Sequence, residues 1–232
     1  MKKHSTSYMV SNSYKIFPLS DSAITIDFGN VIDEKVNDIV MQLYHFCNKN
    51  AFVGMKEAMP AYASLTIFYD IFQVRKNYIS FKSAYDFVEN FLIKTYENIG
   101  EVENYVKRII EIPVNYDGED LGYVADYHQI SEAQVIEFHT FPTYRVYMMG
   151  FLPGFAYMGG LDARIATPRR ATPRTKVPAG SVGIAGNQTG IYPSESPGGW
   201  QLIGRTELEL YTPNAAEITL LRAGDLVKFV AL

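Results

Sequence analysis

An α+β domain followed by an all-β barrel domain is the fold class this sequence predicts, and two observations predict it. Gly and Pro are unevenly spread: residues 1–112 hold three Gly and two Pro, whereas residues 113–232 hold fourteen and nine. Glycine supplies the backbone angles that turns demand and proline interrupts helices, so helices belong to the first half and strands with turns to the second. The second observation is the period of the apolar residues. It is helical in two stretches of the first half and gives way to short apolar runs between Gly/Pro turns in the second. The boundary is placed after residue 104, giving domains of residues 1–104 and 105–232.

Taken in order, YKIFPL and AITIDFG read as strands around a turn at Ser20, Asp21 and Ser22. Asp33 is the N-cap of a helix running to about Asn48, with Val36, Ile39, Val40, Leu43, Tyr44 and Cys47 at helical spacing. AFVGMKEAM and AYASLTIFYD form two strands around Pro60, and Ser83 to Tyr96 a second amphipathic helix with Ala84, Phe87, Val88, Phe91 and Leu92 on one face. A strand at 105–112 completes the order ββαββαβ, helices covering one face of a mostly antiparallel sheet. LGYVADYHQISEAQVIEFHT is helical but broken near Gln129 and Ile130, with Ser131 capping the second piece. From Tyr144 the runs YRVYMMGF, GSVGIAG, QTGIYP, WQLIGR, LEL, ITLL and DLVKFVAL alternate with turns, the pattern of a closed sheet. ATPR occurs at 166–169 and again at 171–174; the prolines hold the threonines before them extended, so this stretch is a rigid exposed loop.

Composition narrows the function. Hydrophobic residues make up 47% and charged ones 20%, which is ordinary globular usage, and the net charge of -4 supplies no broad positive field for nucleic acid. Cys47 is the single cysteine, so no intrachain disulfide and no thiolate zinc site is expected. The start MKKHSTSYMVSNSY resembles neither a signal nor a transit peptide, and no run approaches the ~18 apolar residues of a spanning helix. A soluble cytoplasmic protein without nucleic-acid or membrane partners is the expectation.

The informative segment runs from Gly150 to Arg205. Between Leu161 and Gly180 five cations (Arg164, Arg169, Arg170, Arg174 and Lys176) stand against one anion, Asp162. Guanidinium forks match carboxylate and phosphate, and the prolines leave little entropy to lose on binding. A solvated basic rim, or a patch facing an acidic neighbour, accounts for the same composition. GSVGIAG lies between strands with no helix following, so turns explain its glycines better than nucleotide binding. Among the histidines there is no HExxH pair, and no metal site is expected. His139, at the end of its helix, is a candidate for general acid-base work, against the alternative of a helix-end cation. No GxSxG elbow is present; Ser181, Ser194 and Ser196 sit in turns, and Glu195 beside them is a candidate proton acceptor or an ordinary loop charge. Trp200, the only tryptophan, with Tyr192 and Tyr157 could form an aromatic wall, or belong to the barrel core.

The long segment GFLPGFAYMGGLDARIATPRRATPRTKVPAGSVGIAGNQTGIYPSESPGGWQLIGRT, with LLRAGDLVKFV after it and PLSDSAITIDFG and MPAYASLTIFYD before it, resembles the family that contains the 5-oxoprolinase B subunit, the histidine-kinase inhibitor of sporulation and allophanate hydrolase subunit 1. The resemblance covers nearly the whole chain. It implies that the second domain is a cyclophilin-like β-barrel. Two departures stand out: Ser20 replaces a usual glycine, and Tyr116 to Leu121, YDGEDL, is shorter than the family's loop.

The resemblance also implies a component that works with two others: a C subunit, similar to allophanate hydrolase subunit 2, and a LamB/YcsF-like A subunit. Together they would hydrolyse 5-oxo-L-proline to glutamate with ATP. That would account for the missing autonomous active site. Opening a lactam develops anionic oxygen, which calls for cationic or amide donors. On this basis His139, Arg174 and Glu195 are the catalytic candidates, and Arg169, Gln188, Tyr192, Trp200 and Arg205 the substrate-binding ones. ATP is expected to be used by the complex, bound at the partner interface or on the partner alone, and no metal site is expected in this chain. The alternatives implied are a protein that docks on a sensor histidine kinase and a carboxyltransferase component of the allophanate hydrolase or urea carboxylase type. Prolyl isomerase activity does not follow from a cyclophilin-like fold alone.

Overall fold

The computed structural model describes residues 13–99 and 108–232. The chain divides into two compact units, Met1–Val106 and Lys107–Leu232. The expected boundary after residue 104, the start of the strand expected at 105–112, and His4 lie outside the described residues.

In the first unit, β1 (Lys15–Ser20), β2 (Ala23–Asp27), β3 (Met55–Pro60) and β4 (Ser64–Tyr69) form an antiparallel sheet in the order β1-β2-β4-β3. Ile24 stands opposite Ile67, and Ile26 opposite Leu65, so one face carries a contiguous apolar strip. Helices α1 (Glu34–Lys49) and α3 (Ala84–Glu97) close it with Val36, Val40, Leu43, Val88 and Leu92. Each such side chain, removed from water, contributes about 1.5–3 kcal/mol. Helix α1 starts after the expected cap, Asp33, whose Oδ1 accepts from the Val36 N–H at 2.9 Å; Ser83, expected as the first residue of α3, caps it instead, its Oγ accepting from the Asp86 N–H at 3.0 Å.

Two features differ from the sequence reading. Helix α2 (Ile71–Asn77) falls in a stretch to which the sequence assigns no element; the Asp70 carboxylate accepts from the Gln73 N–H at 3.1 Å and starts it. The strand expected from Ala51 begins only at Met55, because Gly54 turns the chain at φ +98°.

The second unit is a seven-stranded sheet in the order β12-β9-β10-β7-β6-β13-β5. Its strands are β5 (Ile109–Val114), β6 (Tyr144–Met149), β7 (Ala156–Gly159), β9 (Ser181–Ala185), β10 (Gln188–Ile191), β12 (Gln201–Arg205) and β13 (Leu226–Ala231). The strand placed last in ββαββαβ is therefore β5, which pairs with β13 in parallel and belongs to this sheet rather than the first. The sheet is nearly closed on itself. Asn115, just past β5, and Arg205, ending β12, exchange N–H···O bonds of 2.9 and 2.8 Å across the seam. A separate two-stranded ribbon joins β8 (Arg174–Val177) to β11 (Ser196–Gly198), so part of the expected rigid loop is a strand. The runs LEL and ITLL form no regular strands; the Leu220 N–H donates to Leu210 O at 3.1 Å beside an isolated bridge between Tyr211 and Thr219.

Helices α4 (Leu121–His128) and α5 (Glu132–Thr140) add Leu121, Val124, Ala125 and Val135 to the barrel core. The break between them is a left-handed Gln129 at φ 56°, followed by the Ser131–Gln134 capping box. The segment before α4 crosses β12 at very close range. A Cβ on Gly118 would lie 2.4 Å from Leu202 O and from the Ile203 carbonyl carbon, so only glycine fits there.

His139, at the end of α5, is fully buried. Thr189 Oγ1 donates to Gly183 O at 3.0 Å, so Nε2 of His139 donates to Thr189 at 2.9 Å, and the Tyr116 hydroxyl donates to Nδ1 at 2.7 Å. The ring is a neutral core member whose two nitrogens are both occupied. Burial pushes its pKa down from 6.5 to about 3. An unfolded chain takes up this proton near pH 6.5 and the folded one only near 3, so the unfolded state binds more protons between those values. Stability from this group is complete above pH 6.5 and falls as the pH drops toward 3, by on the order of 4 kcal/mol across the window. Urea midpoints measured from pH 7 to pH 4 should fall less steeply for His139→Gln than for the parent. The difference isolates His139 from His45, whose pKa burial also lowers, and parallel profiles would contradict this reading.

Candidate functional site

The cationic stretch is held as a frame rather than left to solvent. The Arg170 N–H donates to Gly199 O at 2.8 Å, Gln201 Nε2 donates to Pro168 O at 2.8 Å, and β8 pairs with β11. Beneath this frame lies Asp120, whose carboxylate is buried. It accepts the Leu202 N–H at 2.7 Å, Nη2 of Arg174 at 2.7 Å and Nη1 of Arg170 at 2.9 Å, while its own N–H donates to Leu202 O at 2.8 Å. Asp120 thus ties the loop after β5, strand β12 and the arginine stretch together.

Above the frame opens a cleft of about 250 Å³. Phe155, Tyr157, Tyr192 and Trp200 form its aromatic wall, and Arg169 and Arg170 its charged edge. The buried Phe155 ring meets Tyr157, Tyr192 and Trp200 edge-on, with centroids 4.9, 5.4 and 5.5 Å away. Such contacts fix all four rings, so the wall keeps its shape without a ligand. The Arg169 guanidinium carbon lies 5.9 Å from the centre of the Trp200 ring. Tyr192 is held protonated by burial, which outweighs the opposing hydrogen bond from the Trp200 backbone. A Cβ on Gly198 would come within 2.4 Å of the Tyr192 hydroxyl, so a bare backbone leaves that side of the cleft open. Phe151 stands exposed at the same cleft with φ 69°, an unusual backbone angle for a bulky residue.

Of the residues singled out from the sequence, Arg169, Tyr192 and Trp200 meet in this cleft, and Tyr157 with them. Arg174 stands behind it, its side chain 13% exposed: burial works against its charge, but Asp120 and Glu119 outweigh that and raise its pKa. Gln188 begins β10 at the end opposite Tyr192 and does not line the cleft. Arg205 lies at the barrel seam, where its Nε donates to Ala179 O at 3.2 Å. Glu195 is exposed and pairs with Lys176 at 2.9 Å. His139 is enclosed in the core. Asp120 and Phe155 were not singled out. Asp120 follows Glu119 in a polar loop and gives no periodic signal, and Phe155 sits in a Gly-rich run that reads as a turn. Among the described residues no group of His, Cys, Asp and Glu is arranged to hold a metal ion.

The family described as carboxyltransferase domain, subdomain C and D, matches residues 14–221. The chain belongs to this family. Within it, the chain is 48% identical over 223 residues to the 5-oxoprolinase B subunit of Bacillus subtilis, covering 94% of this chain and 93% of that one. It is 50% identical to the 5-oxoprolinase B subunit of Haemophilus influenzae, covering 72% and 75%. Among solved structures, TTHA0988 superimposes with a TM-score of 0.77 at 34% identity, covering 90% of this chain; the chain spans only 40% of the length of TTHA0988.

Removing Arg174 would leave the buried Asp120 carboxylate short of its main cation. Arg174→Ala should therefore destabilise the chain by about 2–4 kcal/mol, with Arg174→Lys intermediate because one ammonium cannot replace the fork. Urea or thermal unfolding checks this, and an unchanged midpoint would show that Asp120 does not depend on Arg174.

Proposed function

We propose that this chain is the B subunit of an ATP-dependent 5-oxoprolinase, opening 5-oxo-L-proline to L-glutamate together with an A and a C subunit. The observation that carries the proposal is the 48% identity to the Bacillus subtilis 5-oxoprolinase B subunit over nearly the full length of both chains. The proposed architecture is an α+β domain, residues 1–104, followed by a cyclophilin-like barrel, residues 105–232. Among the described residues no helix is long and apolar enough to cross a membrane, and the proposed setting is the cytoplasm.

The cleft supports this reading through its size and chemistry. At about 250 Å³ it falls below the roughly 300–1,000 Å³ of drug-sized ligand sites and suits one small ring. Its aromatic wall takes an apolar ring, and Arg169 and Arg170 take an anion. In the overall reaction water adds across the lactam C–N bond, oxygen to the carbonyl carbon and a proton to the nitrogen. ATP hydrolysis drives it, and charge developing on the lactam oxygen would face guanidinium donors. The cleft does not fit ATP itself: it is too small, and no glycine loop leads into a helix there to cradle phosphates. ATP is placed outside this cleft, at the interface with a partner subunit or on the partner itself. That TTHA0988 places this fold in a much longer chain supports a site completed by additional polypeptide.

The family description also favours a second reading, a carboxyltransferase part of an assembly that processes urea or allophanate. One reconstitution separates them. This chain, the A and C subunits, ATP and 5-oxo-L-proline should release glutamate, and omitting this chain should abolish it. A complete but inert mixture overturns the proposal. Carboxyl transfer in that mixture would select the second reading, and loss of autophosphorylation by a sensor kinase would select the kinase inhibitor.

A further inference from the structure

The function proposed above leaves open how the cleft distinguishes a ring from its opened product, and the wiring of Arg170 bears on this. Two guanidinium groups share one buried carboxylate. Arg174 approaches both oxygens of Asp120 through Nη2 at 2.7 Å, and the Leu202 N–H occupies Oδ2 as well. Arg170 reaches only Oδ1, and only through Nη1, at 2.9 Å. Its side chain remains 38% exposed and lines the cleft. Arg169, alongside, has no carboxylate partner among the described residues and rests near the Trp200 ring. The cleft therefore presents two cations on one edge, one of them oriented from behind, and no carboxylate among its lining residues. The rest of the lining is aromatic rings, Phe151 among them, with prolines and glycines, and it holds no further cation to meet a second carboxylate.

Resting on the proposed 5-oxoprolinase reading, we propose that Asp120 is a positioning residue: it fixes Arg170 beside Arg169 so that the pair recognises a single carboxylate on a small ring. The same arrangement rejects the ring-opened amino dicarboxylate. Glutamate carries a second carboxylate, for which the cleft holds no cation beyond the two arginines, and an ammonium, for which it holds no carboxylate; burying that second carboxylate against the aromatic wall has a cost that the uncharged lactam group avoids. Substrate is held and product leaves because ring opening creates a second carboxylate where the cleft has no cation to meet it.

Trp200, the only tryptophan, reports on the cleft directly. The full chain is titrated with 5-oxo-L-proline, with 2-pyrrolidinone, which lacks the carboxylate, and with L-glutamate. Saturable change in Trp200 emission is expected for 5-oxo-L-proline, with binding of 2-pyrrolidinone and glutamate weaker by about tenfold or more, the scale of one charge-assisted contact. Asp120→Asn should weaken 5-oxo-L-proline about tenfold while leaving 2-pyrrolidinone unaffected, a selectivity that general loosening of the fold would not produce. Should Asp120→Asn fail to fold, Arg170→Met tests the same edge from the solvent side and should give the same pattern. Equal affinity for 5-oxo-L-proline and 2-pyrrolidinone would overturn the two-arginine edge. Equal affinity for glutamate would overturn the rejection. A parent chain that does not respond to 5-oxo-L-proline at millimolar concentration overturns the inference even if the reconstituted complex releases glutamate, whereas an inert complex overturns the function and leaves these affinities to be judged separately. In an active complex, Asp120→Asn should raise KM with kcat little changed.

Discussion

A buried carboxylate that must be neutralised organises the second unit. Asp120 cannot be left uncompensated in the protein interior, because an ionised group without partners there costs several kcal/mol. Its partners come from three separate parts of the chain: the backbone of β12, the ribbon strand β8 and the stretch just before that strand. Satisfying one charge therefore fixes the mutual position of segments more than fifty residues apart in sequence. The tight passage at Gly118 serves the same end, since a side chain there would hold the loop away from β12 and carry Asp120 out of reach.

The cleft inherits its stiffness from this arrangement. One side is aromatic and locked by edge-to-face contacts around Phe155; the other is a polar frame fixed by backbone hydrogen bonds and by Asp120. The aromatic side is held in place before a ligand arrives, and of the two arginines at the edge Arg170 is held by Asp120, which lowers the ordering cost of binding a small ligand with few contacts. The cation count of the stretch overstates what a ligand meets. Arg174 and Lys176 are already paired with carboxylates, and Arg164 is paired with Asp162.

How much of this was legible depended on whether the signal was local. The helices α1, α3 and α5 announce themselves through Asp33, Ser83 and Ser131, whose side chains bond backbone three residues away, and through apolar residues at helical spacing. Helix α2 was hidden because it is only seven residues long, too short for a helical period to show, and rests on a single cap, Asp70. Strand β5 was legible as a strand but not as to its sheet, since parallel pairing with β13 joins residues over a hundred positions apart. In the site, Trp200, Tyr192 and Arg169 stood out by residue type. The opposite roles of two neighbouring arginines, one facing the cleft and one facing inward, follow from Asp120, and no spacing rule marks a loop aspartate as the partner of an arginine fifty-four residues later. His139 shows the same limit: a histidine at a helix end is a candidate for proton transfer until the hydroxyls of Tyr116 and Thr189 occupy both of its nitrogens.

The single pair of residues that closes the barrel, Asn115 with Arg205, lies five positions before Asp120 and three after Leu202. The seam and the buried carboxylate behind the cleft thus lie within a few residues of each other on both edge segments. The same short stretch of chain therefore both joins the two edge strands of the sheet and carries the carboxylate that orients Arg170.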